Sequence, residues 1–259
     1  DIQRSRGLGD VYKRQFLLPA MRSSKTLYEG KAKKIIKGPK KNTLIQIFKD
    51  DATAYNKKKH KIFKGKGVLN NHISAHIMQY LKSKRIPTHF EEKLNDREQL
   101  IKKCEIIPIE FVVRNITAGS IAKKLGIKEG LKLKKPLLEY YYKEDSLDDP
   151  MISRDHLITF GWATNSELKK IDKMSLQINK HLRNLFFKKN IILVDFKIEF
   201  GRLSSNPKKI VLADEISPDS CRLWDKKTNK KLDKDVFRRN LGSLLSAYEE
   251  VASRLGIVH

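Results

Sequence analysis

The sequence is poor in cysteine, in acidic residues and in long apolar runs. Two cysteines, Cys104 and Cys221, occur in 259 residues. That excludes a disulfide-stapled scaffold and a four-cysteine zinc site. No segment approaches the roughly 20 apolar residues that cross a bilayer. The best early run, Phe16-Leu17-Leu18-Pro19-Ala20, is short and holds a proline, so no membrane partner is expected. The Gly-x-x-x-x-Gly-Lys-Ser/Thr spacing of a Walker A loop is absent. His72 and His76 stand four apart, but no third ligand accompanies them, which argues against zinc. No nucleophilic triad and no internal repeat are visible.

The acidic deficit is large. Thirty Asp and Glu face 55 Lys and Arg, for a net charge of +25. Such an excess points first to nucleic acid or another polyanion. Its make-up points elsewhere: 41 of the 55 are lysine and 14 arginine, whereas base recognition favours the arginine fork. The lysines are spread along the chain beside heavy use of Ile and Asn, the pattern of an AT-rich coding sequence. They read as a solvated surface, and no nucleic-acid partner is expected. A lysine-rich nucleic-acid-binding protein is the rival reading from another class.

What remains is enough for a core: 39% of the residues are hydrophobic. Residues 1–20 have no apolar period and no signal-peptide order. They read as a leader foreign to the domain, which then starts at Met21. From there Leu27 to Ile36, a Gly38-Pro39 turn and Thr43 to Phe48 predict a strand hairpin. Lys57 to Lys66 predicts a lysine-rich loop. Asn70-Asn71 can cap a helix carrying Ile73, Ile77, Met78 and Leu81. Ile106 to Val113 predicts a buried strand, and Ala118-Gly119-Ser120 opens a short helix. Thr164-Asn165-Ser166-Glu167 has capping-box spacing before a long amphipathic helix. Two strands follow, Ile191 to Phe200 and Ile210 to Ala213. A last helix is predicted over Lys234 to Leu255. Strands first, then strands mixed with helices, predict an α+β chain with two lobes.

The sharpest chemical signal is Val194-Asp195-Phe196-Lys197-Ile198-Glu199-Phe200. Strand period 2 sets Asp195, Lys197 and Glu199 on one face and the apolar residues on the other. The next strand ends in Asp214-Glu215. Asp195, Glu199 and Asp214 would then lie close, and clustered carboxylates repel unless a cation such as Mg²⁺ is shared. The plainer alternative is a surface strand with cross-strand ion pairs. Gly30-Lys31-Ala32-Lys33 sets two lysines on one strand face beside a glycine. Arg114, at a strand end, and Ser120, at a helix start, suit a phosphate. Ser217-Pro218-Asp219-Ser220-Cys221-Arg222 is a polar loop with one arginine. Cys221 has no general-base partner and reads as a filler. Each of these last three patterns alone fits a structural role as well.

Taken in order, these segments resemble one family. Leu27 to Lys33, Gly65-Lys66-Gly67 with Asn70-Asn71, Val113-Arg114-Asn115 with Ala118-Gly119-Ser120, Val194 to Gly201 and Asp214 to Asp225 resemble the SAICAR synthetases over roughly residues 26–257. The resemblance implies an α+β fold of two lobes: a kinase-like antiparallel-sheet lobe at 21–105 and an ATP-grasp-like lobe at 106–259. It implies a cytoplasmic, Mg²⁺-dependent ligase of purine biosynthesis, homodimeric in bacterial relatives. The substrates would be ATP, L-aspartate and the carboxyaminoimidazole ribonucleotide CAIR. By the same resemblance Gly30, Lys31 and Lys33 contact ATP, and backbone groups of Lys103 to Ile107 read adenine. Glu199 and Asp214 hold Mg²⁺. Asp195 and Lys197 are the catalytic pair that orients the imidazole and its carboxylate. Arg114, Ser120, Asp219 and Arg222 hold the ribonucleotide. A related ligase using another amine is the rival within enzymes. The chain departs from the family pattern at Thr53-Ala54-Tyr55-Asn56-Lys57, where many members carry a glycine, and at Cys221.

Overall fold

A computed structural model of the chain describes residues 25–54 and 59–257. The leader 1–20, the start at Met21 and the Tyr55-Asn56-Lys57 departure lie outside the described residues. Strands β1 (Thr26–Glu29), β2 (Lys33–Lys37) and β3 (Thr43–Phe48) open the chain. A separate two-stranded ribbon follows, β4 (Asp51–Ala54) with β5 (Lys59–Ile62). Helix α1 (Lys66–Ser83) then leads into β6 (Phe90–Lys93) and β7 (Glu98–Lys102). The first sheet is antiparallel in the order β1-β2-β3-β7-β6.

The second lobe begins with β8 (Cys104–Ile106), β9 (Ile109–Ile116), α2 (Ser120–Leu125) and β10 (Lys132–Tyr142). Next come β11 (Met151–Ile152), α3 (Arg154–Thr159), α4 (Asn165–Phe187), β12 (Ile191–Leu203) and β13 (Asn206–Ala213). The chain closes with β14 (Cys221–Asp225), α5 (Asp235–Arg238) and α6 (Leu244–Leu255). β12 is the spine of this sheet. It pairs with β9 and β14 through its first half and with β8 and β13 through its second.

The alternation of β12 explains why it sits there. Phe196, Ile198 and Phe200 are fully buried. Leu168, Ile171, Ile178, Leu182 and Phe186 of α4 are buried in the same core. Each such side chain contributes about 1.5–3 kcal/mol by leaving water. The opposite face carries Asp195, Lys197 and Glu199 toward the cleft. The Thr164 capping box starts α4: the Thr164 hydroxyl accepts from the Glu167 N–H, and the Glu167 carboxylate accepts from the Thr164 N–H.

Several elements differ from the sequence expectation. Leu27 to Ile36 is two strands, because the chain turns at Gly30 to Ala32 and the Gly30 N–H donates to the Lys33 carbonyl at 2.8 Å. Part of the lysine-rich loop is strand β5, whose backbone pairs with β4. Asn70 and Asn71 cap nothing. α1 starts four residues earlier, after Gly65 at φ 99°, and both asparagines are buried inside it. The final helix is broken: Asn240 (φ 54°) and Gly242 (φ 131°) leave helical geometry, and Ser243 caps α6 anew.

Candidate active site

Cross-strand register builds the first half of the site. Asp195 of β12 stands opposite Arg114 of β9 on one edge and opposite Arg222 of β14 on the other. Directly opposed side chains on one face meet at about 5 Å. Arg114 Nη1 donates to Asp195 Oδ2 at 2.7 Å, and Arg222 Nη1 reaches both carboxylate oxygens at 3.0 Å. Arg114 is held further by Glu139 of β10 at 2.7 Å, and its Nη2 donates to Ser120 Oγ at 3.0 Å. Tyr141 donates to the same Glu139 oxygen at 2.9 Å. Burial pushes the Asp195 carboxyl up, opposed by the two guanidiniums. Burial also works against the Arg222 charge, but Asp195 and Asp235 overcome it and raise its pKa.

Lysines build the second half. Lys197 donates to Glu110 at 2.7 Å and to Glu199 at 3.2 Å, and Lys143 donates to Glu199 at 2.6 Å. Against the cost of burial, Lys197, Lys143 and Lys33 together hold Glu199 down at about 2. Lys33 pairs with Asp214 and lies 3.4 Å from Glu215. Burial lowers the Lys33 pKa in spite of Glu215 and Glu199. Asp214 follows β13 at φ 61°. Its carbonyl accepts from His89 Nε2 at 2.9 Å. Burial and nearby Lys33 push His89 down to about 3, so it donates as the neutral imidazole. Lys31 reaches across to Asp145 at 2.5 Å.

Between the two halves stands Asp219. It accepts from Lys66 at 2.6 Å, Asn70 at 2.9 Å and Tyr248 at 2.5 Å. Lys66 is fully buried, and its charge has this carboxylate as its counter-ion. Cys221 is buried and its thiol pushed up, so it is no nucleophile.

Two cavities run along this surface. One, of about 350 Å³, is walled by Arg114, Ser120, Asp195 and Arg222. The other, of about 870 Å³, is walled by Gly30, Lys33, Glu199 and Asp214. Lys31, Glu110, Lys197, Asp219 and Lys234 belong to both, so the cavities meet. All eleven residues singled out from the sequence line this cleft. The predicted hinge, Lys103 to Ile107, is in neither wall; β8 within it pairs with the far end of β12. The sequence reading missed Glu110, Glu139, Tyr141, Lys143, Lys66 and Tyr248. For Glu110 a signal existed, since Glu110, Val112 and Arg114 alternate on one face of β9.

The chain matches the family model of SAICAR synthetase over residues 26–255. The chain belongs to the SAICAR synthetase family. It is therefore an ATP-dependent amide-forming ligase that condenses CAIR with L-aspartate in purine biosynthesis. A phosphoribosylaminoimidazole-succinocarboxamide synthase of Wolbachia pipientis is 56% identical over 237 residues, covering 92% of this chain and 99% of that protein. The Sinorhizobium fredii synthase is 58% identical over 240 residues, 92% and 94% of the two lengths. The crystal structure of the Ehrlichia chaffeensis synthase superposes with a TM-score of 0.89 at 51% identity, over 91% of this chain and 100% of that one. A SAICAR synthetase in complex with ADP gives 0.85 at 46% identity, over 89% and 97%.

Proposed function

We propose that the two cavities divide the ligation between them. ATP lies along the Gly30–Lys33 turn, and the ribonucleotide lies against Arg114, Ser120 and Arg222. The observation that carries this reading is that Lys197 and Glu110 line both cavities. A phosphoryl donor and an acceptor carboxylate need one such meeting point.

A carboxylate is a poor electrophile because oxide is a poor leaving group. In the first step a carboxylate oxygen of CAIR attacks the γ-phosphorus of ATP. The bond to the β,γ-bridging oxygen breaks, and ADP departs. In the second step the aspartate amine attacks the acyl carbon of the resulting acyl phosphate. The C–O bond breaks, phosphate leaves and the amine loses a proton. This chain's task is to hold anions together and screen their charge. Lys31 and Lys33 meet the phosphates. Lys197 neutralises the attacking carboxylate, while Asp195 orients the imidazole and keeps the two arginines apart. Asp219, fixed by Lys66 and Tyr248, addresses the ribose or base.

Magnesium fits the donor set. Among the described residues no group of three or more His, Cys, Asp or Glu side chains is placed to hold a metal ion. Contrary to the sequence expectation, Asp195 does not join Glu199 and Asp214 but is held by Arg114 and Arg222 in the other cavity. Mg²⁺ beside a nucleotide needs only one or two carboxylates, phosphate oxygens and water completing its shell. Glu199 is buried and ionised, and Asp214 follows the strand that pairs with it. These two would hold the ion, which supplies charge neutralisation when bound. Lys143 and Lys33 are the counter-ions that would give way.

The lobes divide near the expected 21–105 and 106–259; the change of sheet between β7 and β8 supports this to within two residues, since β8 from Cys104 already pairs with β12. A cytoplasmic homodimer is the corresponding cellular form. Among the described residues no helix is long and apolar enough to cross a membrane. Light scattering tests the dimer. The test of function is ADP release with CAIR, ATP and Mg²⁺, with and without aspartate. Aspartate-dependent formation of SAICAR is expected, and turnover indifferent to aspartate would sink the assignment.

A further inference from the structure

Arg222 and Arg238 both point into the smaller cavity from different elements, β14 and α5. Two guanidiniums in one wall repel, and a flexible arginine samples many rotamers. One carboxylate lies between them. Asp235 Oδ2 accepts from Arg222 Nε at 3.0 Å, and Asp235 Oδ1 accepts from Arg238 Nη1 at 2.7 Å. Its side chain is 7% exposed and lines neither cavity. Asp235 is itself fixed: its N–H donates to Asp233 Oδ1 at 2.7 Å. The second Asp233 oxygen accepts from the Leu223 N–H at 2.8 Å, next to Arg222. The two aspartates thus tie α5 to β14.

The rest of Arg222 is equally constrained. Its Nη1 is on Asp195, which leaves Nη2 as the free end of the fork. That end lies against Gly119, where an added Cβ would sit 2.2 Å from Arg222 Nη2. Gly119 precedes Ser120, whose hydroxyl takes Arg114 Nη2. Arg114 Nη2, held on Ser120, and the free Nη2 of Arg222 therefore converge on one turn. Against burial, Arg222 and Arg238 hold the Asp235 carboxyl below its ordinary range, so it stays charged between them.

We propose that Asp235 is a positioning residue for the ribonucleotide phosphate: it clamps Arg222 and Arg238 at a fixed separation and fixes the free edge of Arg222 toward Ser120. This rests on the reading that Arg222 holds that phosphate. Asp235 touches no substrate; it acts through the two arginines. A second-layer carboxylate of this kind converts mobile cations into a preformed anion site.

The experiment compares two substrates in wild type and Asp235→Asn: CAIR, and the ribonucleoside that differs only by lacking the 5′-phosphate. Wild type should lose at least about tenfold in kcat/KM without the phosphate. Asp235→Asn should raise KM for CAIR about tenfold with kcat, KM for ATP and KM for aspartate nearly unchanged, the signature of lost ground-state binding. On the ribonucleoside, variant and wild type should be alike, because the clamp then has nothing to position. Asp235→Glu, which keeps the charge, should recover part of the loss. If Asp235→Asn penalises both substrates equally, the clamp is only structural and the inference is wrong. If wild type is indifferent to the phosphate, the phosphate reading of Arg222 fails, and the inference with it. Should Asp235→Asn not fold, Asp235→Glu carries the same two-substrate comparison, and equal penalties again refute the inference.

Discussion

The two ends of the cleft use opposite kinds of cation. At the proposed ribonucleotide end Arg114 and Arg222 are fixed at several corners by Asp195, Glu139 and Asp235. At the proposed ATP end Lys33, Lys143 and Lys197 rest on Asp214, Glu199 and Glu110. The Lys143 and Lys197 side chains are 38% and 32% exposed against 3% for Arg114, while Lys33 and Arg222 are alike at 16% and 17%. A guanidinium fork is rigid and directional, whereas an ammonium is a mobile point charge. One end is built to keep its geometry. The other is built of counter-ion pairs that phosphate and Mg²⁺ can exchange.

The largest effect should come from the exchangeable end. Glu199→Gln removes a buried charge shared by Lys143 and Lys197 and one of the two proposed metal carboxylates. ADP release should fall by about 10³ or more, about 4 kcal/mol of transition-state stabilisation. Thermal unfolding should show a folded protein. Near-normal activity would remove Glu199 from the metal site and erase the contrast between the ends.

Asp195→Asn tests the rigid end. It leaves the buried Arg114 and the half-buried Arg222 short of a partner, and breaking a buried pair costs about 3–5 kcal/mol of stability. Activity should fall about 10²-fold together with a lower unfolding midpoint. Glu199→Gln and Asp195→Asn thus separate by what else they change. If Asp195→Asn left stability untouched, the guanidinium lattice would not be the rigid part.

Swapping cations probes the contrast itself. Arg222→Lys keeps the charge but cannot reach Asp195 and Asp235 together, so KM for CAIR should rise about 10–50-fold with kcat little changed. Lys143→Arg at the other end should change kcat/KM by less than about threefold, because a point charge suffices there. Equal penalties for the two swaps would break the comparison.

The central strand was legible because its chemistry and its fold share one period. In Val194 to Phe200 every second side chain is apolar and every other one ionisable. That alternation gave both the buried face and the clustered charges. The sequence marks Arg114 and Arg222 as candidate anion ligands but does not show the groups that anchor them. Glu139 lies 25 residues from Arg114, and Lys66 lies 153 from Asp219. Such partners meet only through strand register and helix packing, which no local pattern encodes. β10 was missed because Lys132 to Pro136 hides its alternation, and its register against β9 slips there. Apolar spacing predicts a continuous final helix because that spacing survives the Asn240–Gly242 break. Backbone geometry, not hydrophobic period, ends it.

The smallest expected effect on activity lies outside the cleft and calibrates the rest. Glu167 pairs with Arg202 at 2.6 Å and closes the α4 capping box. Arg202 foremost, with the Thr164 N–H and hydroxyl, outweighs burial and lowers the Glu167 carboxyl from an ordinary 4.5 to about 2. A carboxyl whose folded pKa is depressed stabilises the fold above its unfolded pKa. That contribution fades as pH falls from about 4.5 toward 2. Glu167→Gln should therefore cost about 1–2 kcal/mol at pH 7, a drop of roughly 2–8 °C in the unfolding midpoint. The gap from wild type should narrow through that acid window. All three KM values should stay as in wild type, since nothing in the cleft leans on this pair. A change in KM for CAIR would mean that α4 transmits strain to β12, and the rigidity ascribed to the arginine end would then belong to the whole sheet.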